Sequence, residues 1–338
     1  MRIARIKSDG GGYYHCISRV VDRQMKFGEQ EKEKFRTLMR RVEEFSGVKV
    51  LTYCVMSNHF HILVHVPERQ EISDAELVRR LGLLYPRMLV KQIAAELAEA
   101  RKEAKKTGNE RVVNRVRERW LRRMYDVSEF MRTLKQRFSV WYNRNNQRVG
   151  TLWEERFKSI LVEGRENALI TMAAYIDLNP VRAGLVKDPK DYRYGGYGEA
   201  VGGGKEAREG LLGVMLSLSQ GLQVWGQVSH KYRQMLYEMG ERVVGAKGEM
   251  KKRGFAREEV EKVLEEGGKL ALGDALRCRV RYFTDGVVLG SREYVEQVFQ
   301  KHRKEFGVKR QTGARSMRWA NWSGLCTMRD LRQQVLRA

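Results

Sequence analysis

Histidine is scarce in this 338-residue chain: there are six, and three fall in the run SNHFHILVHV at residues 57–66. His59 and His61 are separated by a single residue, Phe60. In an extended strand alternate side chains share a face, so both imidazoles project from one side, about 7 Å apart at the backbone. Neutral ring nitrogens at that spacing can converge on one cation. His65 lies about 13 Å beyond His61 along the strand and reads as structural. An HxH pair alone also fits plain polar surface; it needs a third donor and a nucleophile or base.

Candidates for both stand in YIDLNPVRAGLV, residues 175–186. Tyr175 and Asn179 are four apart on a predicted helix and therefore share a face. Asp177 points away from Tyr175, and Leu169, Ala173 and Ile176 form the opposite, apolar stripe. The Asn179 amide oxygen can complete a hard-cation site with two imidazoles, with Tyr175 one turn back. The same residues equally suit a core tyrosine at a helix end capped by Asn179. The residues alone leave both readings open.

The elements that must position these groups follow from periodicity. Residues 13–21 read as a strand. The segment from Glu29 to Gly47 reads as a helix, with Phe35, Leu38, Met39, Val42 and Phe45 at helical spacing and a glycine stop. Residues 48–56 and 59–66 are two strands joined tightly at Ser57-Asn58. Phe60, Ile62, Val64 and Val66 give the second strand an apolar face for packing under helices. Residues 74–145 form a long helical insertion broken near Lys106–Asn109, with a stripe through Met124, Val127, Met131, Leu134, Phe138 and Trp141. Residues 156–163 are a further strand, and the helix at 166–178 stops before Asn179-Pro180.

A Gly-rich tract over 195–210 suggests a boundary. It divides a domain of residues 1–200 from a basic, mainly helical region at 211–338, with a linker at 201–210. In that region residues 276–310 read as helix, glycine-containing turn and helix. This pattern fits either a helix-turn-helix or a packing or dimerising appendage. Residues 309–322 read as a basic arm with aromatic anchors.

Bulk composition narrows the partner. Sixty-five Lys and Arg against 42 acidic residues give a formal net charge of +23. Such an excess attracts polyanions, nucleic acid first. Residues 111–148 alone carry eleven Lys/Arg against three Asp/Glu. Arg115, Arg119, Arg122 and Arg123 are accordingly candidates for phosphate contact, unless the run is only a solvated face. Tyr13, Tyr14, Trp141, Tyr142 and Trp153 lie near basic residues and are candidates for base stacking. No apolar run reaches membrane length, and no signal peptide is evident, so the expected compartment is the cytoplasm. Cys16, Cys54, Cys278 and Cys326 are widely spaced and read as buried thiols.

Taken in order, GGYYHCISR (11–19), YCVMSNHFHILVH (53–65), GTLWEERFKSILVE (150–163), AAYIDLNPVRAGLV (173–186) and DYRYGGYG (191–198) resemble the HUH-type single-tyrosine transposases, specifically the REP-associated branch. The long helical insertion and the region after 210 depart from the simplest members. So does Gly195-Gly196, where many members carry a serine pair. The resemblance implies an α+β, ferredoxin-like antiparallel sheet backed by helices. It also implies cleavage of single-stranded or hairpin DNA dependent on Mg²⁺ or Mn²⁺, through a 5′-phosphotyrosine link. Carried over by motif, Tyr175 is the nucleophile, His59, His61 and Asn179 are the metal ligands, and Arg19 and Arg156 hold phosphates. Such a link conserves the bond energy, consistent with the lack of a GxxxxGK[ST] nucleotide loop. Two other readings remain: a nonenzymatic DNA-binding protein, and a metallonuclease using water. Monomer and homodimer are both open.

Overall fold

A computed structural model describes residues 5–216, 224–238, 282–318 and 322–329. Strand β1 (Gly12–Arg19) leads through helix α1 (Glu29–Ser46) into β2 (Lys49–Val55) and β3 (His59–Val66). Gly47 ends α1 in the left-handed region, with φ of 73°, a conformation glycine adopts without the Cβ penalty. Four helices follow: α2 (Asp74–Gly82), α3 (Arg87–Thr107), α4 (Arg111–Leu121) and α5 (Val127–Asn145). Ser73 and Asp126 cap α2 and α5 by accepting first-turn backbone N–H groups. This is the stabilisation expected of an N-cap oxygen. Strand β4 (Lys158–Val162) then precedes α6 (Glu166–Asp177) and the single turn α7 (Asn179–Arg182).

β1 pairs antiparallel with both β3 and β4, and β2 pairs antiparallel with β3. The order β2-β3-β1-β4 with α1 and α5 on one face is the ferredoxin-like arrangement expected. On that face Phe35 meets Phe60 at 4.6 Å between ring centroids, and Phe138 meets Phe35 at 5.2 Å. Helix α5 is therefore part of the central layer. The insertion expected over 74–145 shrinks to α2–α4, which pack mainly on one another and on α1.

The Gly-rich tract is folded. Helices α8 (Gly196–Val201) and α9 (Lys205–Leu216) press on β2. A Cβ on Gly196 would meet Thr52 Oγ1 at 2.2 Å, and one on Gly210 would meet the Val50 and Leu51 carbonyls at 2.5 Å. These glycines permit close approach of backbone to backbone rather than serving a linker.

Among the described residues the C-terminal region is mainly helical, as read, and it also adds three short strands to the sheet. Helix α10 (Trp225–Glu238) is followed, among the described residues, by one helical turn at Tyr282–Asp285 and by β5 (Gly286–Gly290). β5 runs parallel to β4, and β7 (Cys326–Arg329) and β6 (Arg315–Ser316) continue the sheet to seven strands in the order β2-β3-β1-β4-β5-β7-β6. From Tyr282 onward the stretch read as a helix-turn-helix is instead a helical turn, a strand and the helix Arg292–Lys301, and its residues before 282 lie outside the described ones. Its apolar run Val287-Val288-Leu289 fills a strand, not a recognition turn. Arg277, Arg279 and Arg281 lie outside the described residues, as does Cys278. Cys16, Cys54 and Cys326 are buried free thiols. Among the described residues no helix is long and apolar enough to cross a membrane.

Candidate active site and metal centre

Strand register sorts the site residues onto one face. Arg19 pairs with His59, Ile17 with His61, and His15 with Leu63. Cross-strand partners share a face, so Arg19, Ile17, His15, His59 and His61 project together, away from α1 and α5. Lys158 pairs with Ile17 from the other side and joins the same face. It was not singled out from the sequence, and its amine lies 3.8 Å from Asp285.

The His59 and His61 rings lie 5.1 Å apart, nearly perpendicular. His59 Nδ1 is 2.7 Å from Asn58 Oδ1. His61 is 3% exposed, and its Nδ1 lies 2.9 Å from Nε2 of His15, which is fully buried. Sequence reasoning missed His15. Its position at alternate spacing from Ile17 and Arg19 was the available signal. Burial pushes His15 down to about 3, opposed only in part by a backbone hydrogen bond to Phe283, and its Nδ1 is buried without a hydrogen-bond partner among the described residues. His61 is held well below the usual histidine range, first by burial and then by the neighbouring His15, His59, Arg182 and Arg19. Both rings are thus neutral near pH 7, the state in which imidazole can ligate.

Helix α6 covers this face. The Tyr175 ring stands 6.0 Å from His61 and 6.3 Å from His15, edge-on to both. The sequence placed only one side of α6 in the core, whereas residues 168–178 are all nearly inaccessible. The reason is the C-terminal region, which closes over the helix. Phe283 lies 4.6 Å from the Tyr175 ring, and Tyr175 is 2% exposed. Arg182 sets its guanidinium 4.1 Å from the centre of the Tyr175 ring and donates to the Tyr175 carbonyl at 2.7 Å. A cation over an aromatic face is attracted to it.

Asn179 opens α7, one turn beyond Tyr175, and its amide nitrogen donates to the Tyr175 and Ile176 carbonyls at 3.3 and 3.2 Å. Its hydrogen bonds thus go to α6 rather than to either histidine. Asp177 points away from Tyr175 as expected, but into a buried polar node. It accepts from Thr52 Oγ1 at 2.7 Å, from Tyr232 Oη at 2.5 Å and from the Tyr197 amide at 3.3 Å. Burial raises its carboxyl to about 6 despite those donors. This node ties α10 to the site helix.

The candidate DNA contacts divide. Trp153 is a core residue, against Phe27 at 5.9 Å and Phe60 at 5.5 Å, with its indole N–H on the Lys135 carbonyl. Its stacking role is withdrawn for that reason. Tyr14 and Tyr142 are also buried, and Tyr13 stacks on His65 at 4.4 Å. The latter contact gives His65 its structural role. Arg123 is turned inward onto Tyr85 Oη and Thr133 Oγ1, so it supports the insertion rather than a phosphate. Arg119 is paired with Glu96 at 2.6 Å. Arg115, Arg122 and Arg156 are exposed, and Arg19 is half-buried beside His59.

Among the described residues, no group of three His, Cys, Asp or Glu side chains is placed to hold a metal ion. A cation here would rest on two imidazoles plus oxygen donors of other kinds. The donor chemistry fits that demand. The Asn58 amide nitrogen donates to the Arg23 carbonyl at 2.9 Å, which turns its oxygen toward His59 Nδ1. An amide oxygen can only accept, so His59 Nδ1 carries the proton and Nε2 keeps a lone pair.

No curated protein matches the chain. A solved structure described as a REP-associated tyrosine transposase bound to a REP hairpin is similar over 60% of this chain and 87% of that one, at 15% identity and a TM-score of 0.39. Residues 10–105 match the family model described as transposase, IS200-like. That segment holds β1, α1, β2 and the histidine strand β3, and it is the part of the chain that is similar to the IS200-like transposases.

Proposed function

We propose that the protein is a DNA strand transferase in which Tyr175 attacks a phosphodiester of single-stranded, hairpin-forming DNA. The carrying observation is the packing of the Tyr175 ring 6.0 Å from His61, itself 5.1 Å from His59. The tyrosine oxygen forms a bond to phosphorus as the P–O3′ bond breaks. The strand leaves with a free 3′-OH, and its 5′-phosphate stays on the protein. The phenol gives up its proton and the departing O3′ takes one up, by way of solvent, so that the step is neutral in protons. His59 and His61, with Asn179 as the candidate third donor, would hold a divalent cation, Mg²⁺ or Mn²⁺, which when bound would supply Lewis-acid stabilisation of the charge on the phosphoryl oxygens.

The chain's own groups have distinct parts in this reading. Arg19, on the histidine face, and exposed Arg156 offer charge to phosphates. Arg182 lies over the Tyr175 ring, where its positive charge favours a developing phenolate. Tyr175 sits over the histidines of its own chain, an arrangement that supports attack within one subunit. The +23 charge supports a polyanionic partner. The REP hairpin of the solved transposase, like the resemblance, suggests a structured single strand.

The test is a labelled single-stranded hairpin incubated with the protein and Mg²⁺ or Mn²⁺, resolved under denaturing conditions. A denaturation-resistant adduct, lost in Tyr175→Phe while binding persists, is the expected result. Cleavage by Tyr175→Phe without an adduct would assign the chemistry to water. Binding without cleavage under either metal would leave a DNA-binding protein on a transposase fold.

A further inference from the structure

We propose that buried His15 is a positioning residue that accepts the Nδ1 proton of His61 and so aims the His61 Nε2 lone pair outward. The proposal rests on the metal-site reading above. Two strands bring the rings together: His15 on β1 and His61 on β3 sit on one face of the sheet, two residues apart in register. Their rings are 19° from parallel with centroids 5.1 Å apart, and Nε2 of His15 is 2.9 Å from Nδ1 of His61. That is the edge-to-edge geometry of an in-plane N–H···N bond. His15 is wholly inaccessible and His61 nearly so, which leaves the pair to satisfy one another.

Only one direction of this bond leaves a cation ligand. If His15 donates, His61 Nδ1 is used as the acceptor and its proton resides on Nε2. Neither nitrogen of His61 can then bind a metal. If His61 donates, its Nε2 keeps the lone pair, and the His15 proton sits on Nδ1. His59 already shows the same logic, because Asn58 Oδ1 can only accept from its Nδ1. Asn58 and His15 would thus hold the two histidines in matching tautomers. Ligand histidines characteristically donate their remote N–H to such a partner, and its loss typically costs about 10–100-fold in metal affinity.

The experiment pairs nitrogen-15 NMR of histidine-labelled, metal-free protein with calorimetric titration of Mn²⁺. In the wild type at neutral pH, His61 is expected with its proton on Nδ1. In His15→Leu the proton should shift toward Nε2, and Mn²⁺ affinity should fall about 10–100-fold. His15→Gln, whose amide oxygen can accept, should recover part of that loss. A His61 proton on Nε2 in the wild type would overturn the proposal. So would Mn²⁺ affinity within twofold of wild type in folded His15→Leu and His15→Gln. Should His15→Leu fail to fold, the wild-type tautomer and the Gln variant still decide the matter. His61→Ala separates the two levels: undiminished Mn²⁺ binding there would sink the metal-site reading, and the role of His15 as its support would fall with it. A Nδ1 proton on wild-type His61 would then show only that the hydrogen bond exists.

Discussion

Neighbouring residues on β3 have opposite fates. Phe60 turns to α1 and α5, where it meets Phe35 and Trp153 in an all-apolar layer. His61 turns to α6 and is almost as buried, yet it meets His15, His59 and Tyr175. On the first face nothing but shape and apolar area is required, so burial itself stabilises. On the second every buried polar atom needs a partner, because an unsatisfied one costs about 1–3 kcal/mol. A sheet can bury both faces equally and still keep only one for chemistry.

Substitution on the two faces should separate stability from activity. His61→Ala is expected to reduce adduct formation by at least about 10²-fold, since stabilisation of phosphoryl charge is worth several kcal/mol. Its stability in urea should fall by only about 1–3 kcal/mol, the cost of leaving buried His15 Nε2 without its partner. Phe60→Ala is expected to do the reverse, losing about 3–5 kcal/mol of stability to the cavity left behind. The protein that remains folded should still form adduct. Equal loss of activity in both, scaled to folded protein, would erase the distinction between the faces.

The polar face also predicts a pH signature with opposing signs. The Asp177 carboxyl is raised from 3.8 to about 6 in the fold. A folded acid with a raised pKa binds more protons than the unfolded chain, so its contribution is present below about 4 and is lost as pH rises through 6. The buried histidines act oppositely: His15, lowered from 6.5 to about 3, is destabilising as pH falls below 6.5. Asp177→Asn should therefore raise stability at pH 7 by about 3 kcal/mol relative to its effect at pH 4. Denaturation at the two pH values measures this, and an identical effect at both would show that Asp177 is ionised without penalty.

The cover over the tyrosine gives a smaller expected effect. Phe283 leaves Tyr175 2% exposed, so a phosphate reaches the phenol only when this ring shifts. A conformation populated only in part lowers apparent reactivity by that fraction. Phe283→Ala should raise the adduct rate about several-fold; a lower rate in folded variant would show that Phe283 aligns the phenol instead. Smallest of all, Arg115→Ala should reduce the salt slope of DNA binding by about one. Arg123→Ala should leave the slope alone and lower stability, because its guanidinium is bonded within the insertion.

The ferredoxin-like half was legible because its signals are local. The alternation in HFHILVHV assigns faces without any knowledge of neighbours, and the stripe through Met131, Leu134 and Phe138 marks α5. What failed was non-local. Gly210 reads as flexibility until β2 is placed against it. The run Gly286–Gly290 shows its strand character only beside β4. Trp153 carries the aromatic and basic surroundings of a stacking residue, but the core claims it. His15 was in view within GGYYHCISR, yet its importance depends on a register with β3 that one sequence does not display. Asp177 could be read as pointing away from Tyr175, but its buried node could not, its partners Thr52, Tyr197 and Tyr232 being spread along the chain.

The most direct test of the central claim is to locate the covalent bond. After reaction with a hairpin strand and Mn²⁺, digestion with trypsin releases the peptide 166–182, in which Tyr175 is the sole tyrosine. Mass spectrometry should find the 5′-phosphonucleotide on that peptide, at Tyr175. Attachment to another tyrosine, or cleaved DNA with no peptide adduct, would contradict the account.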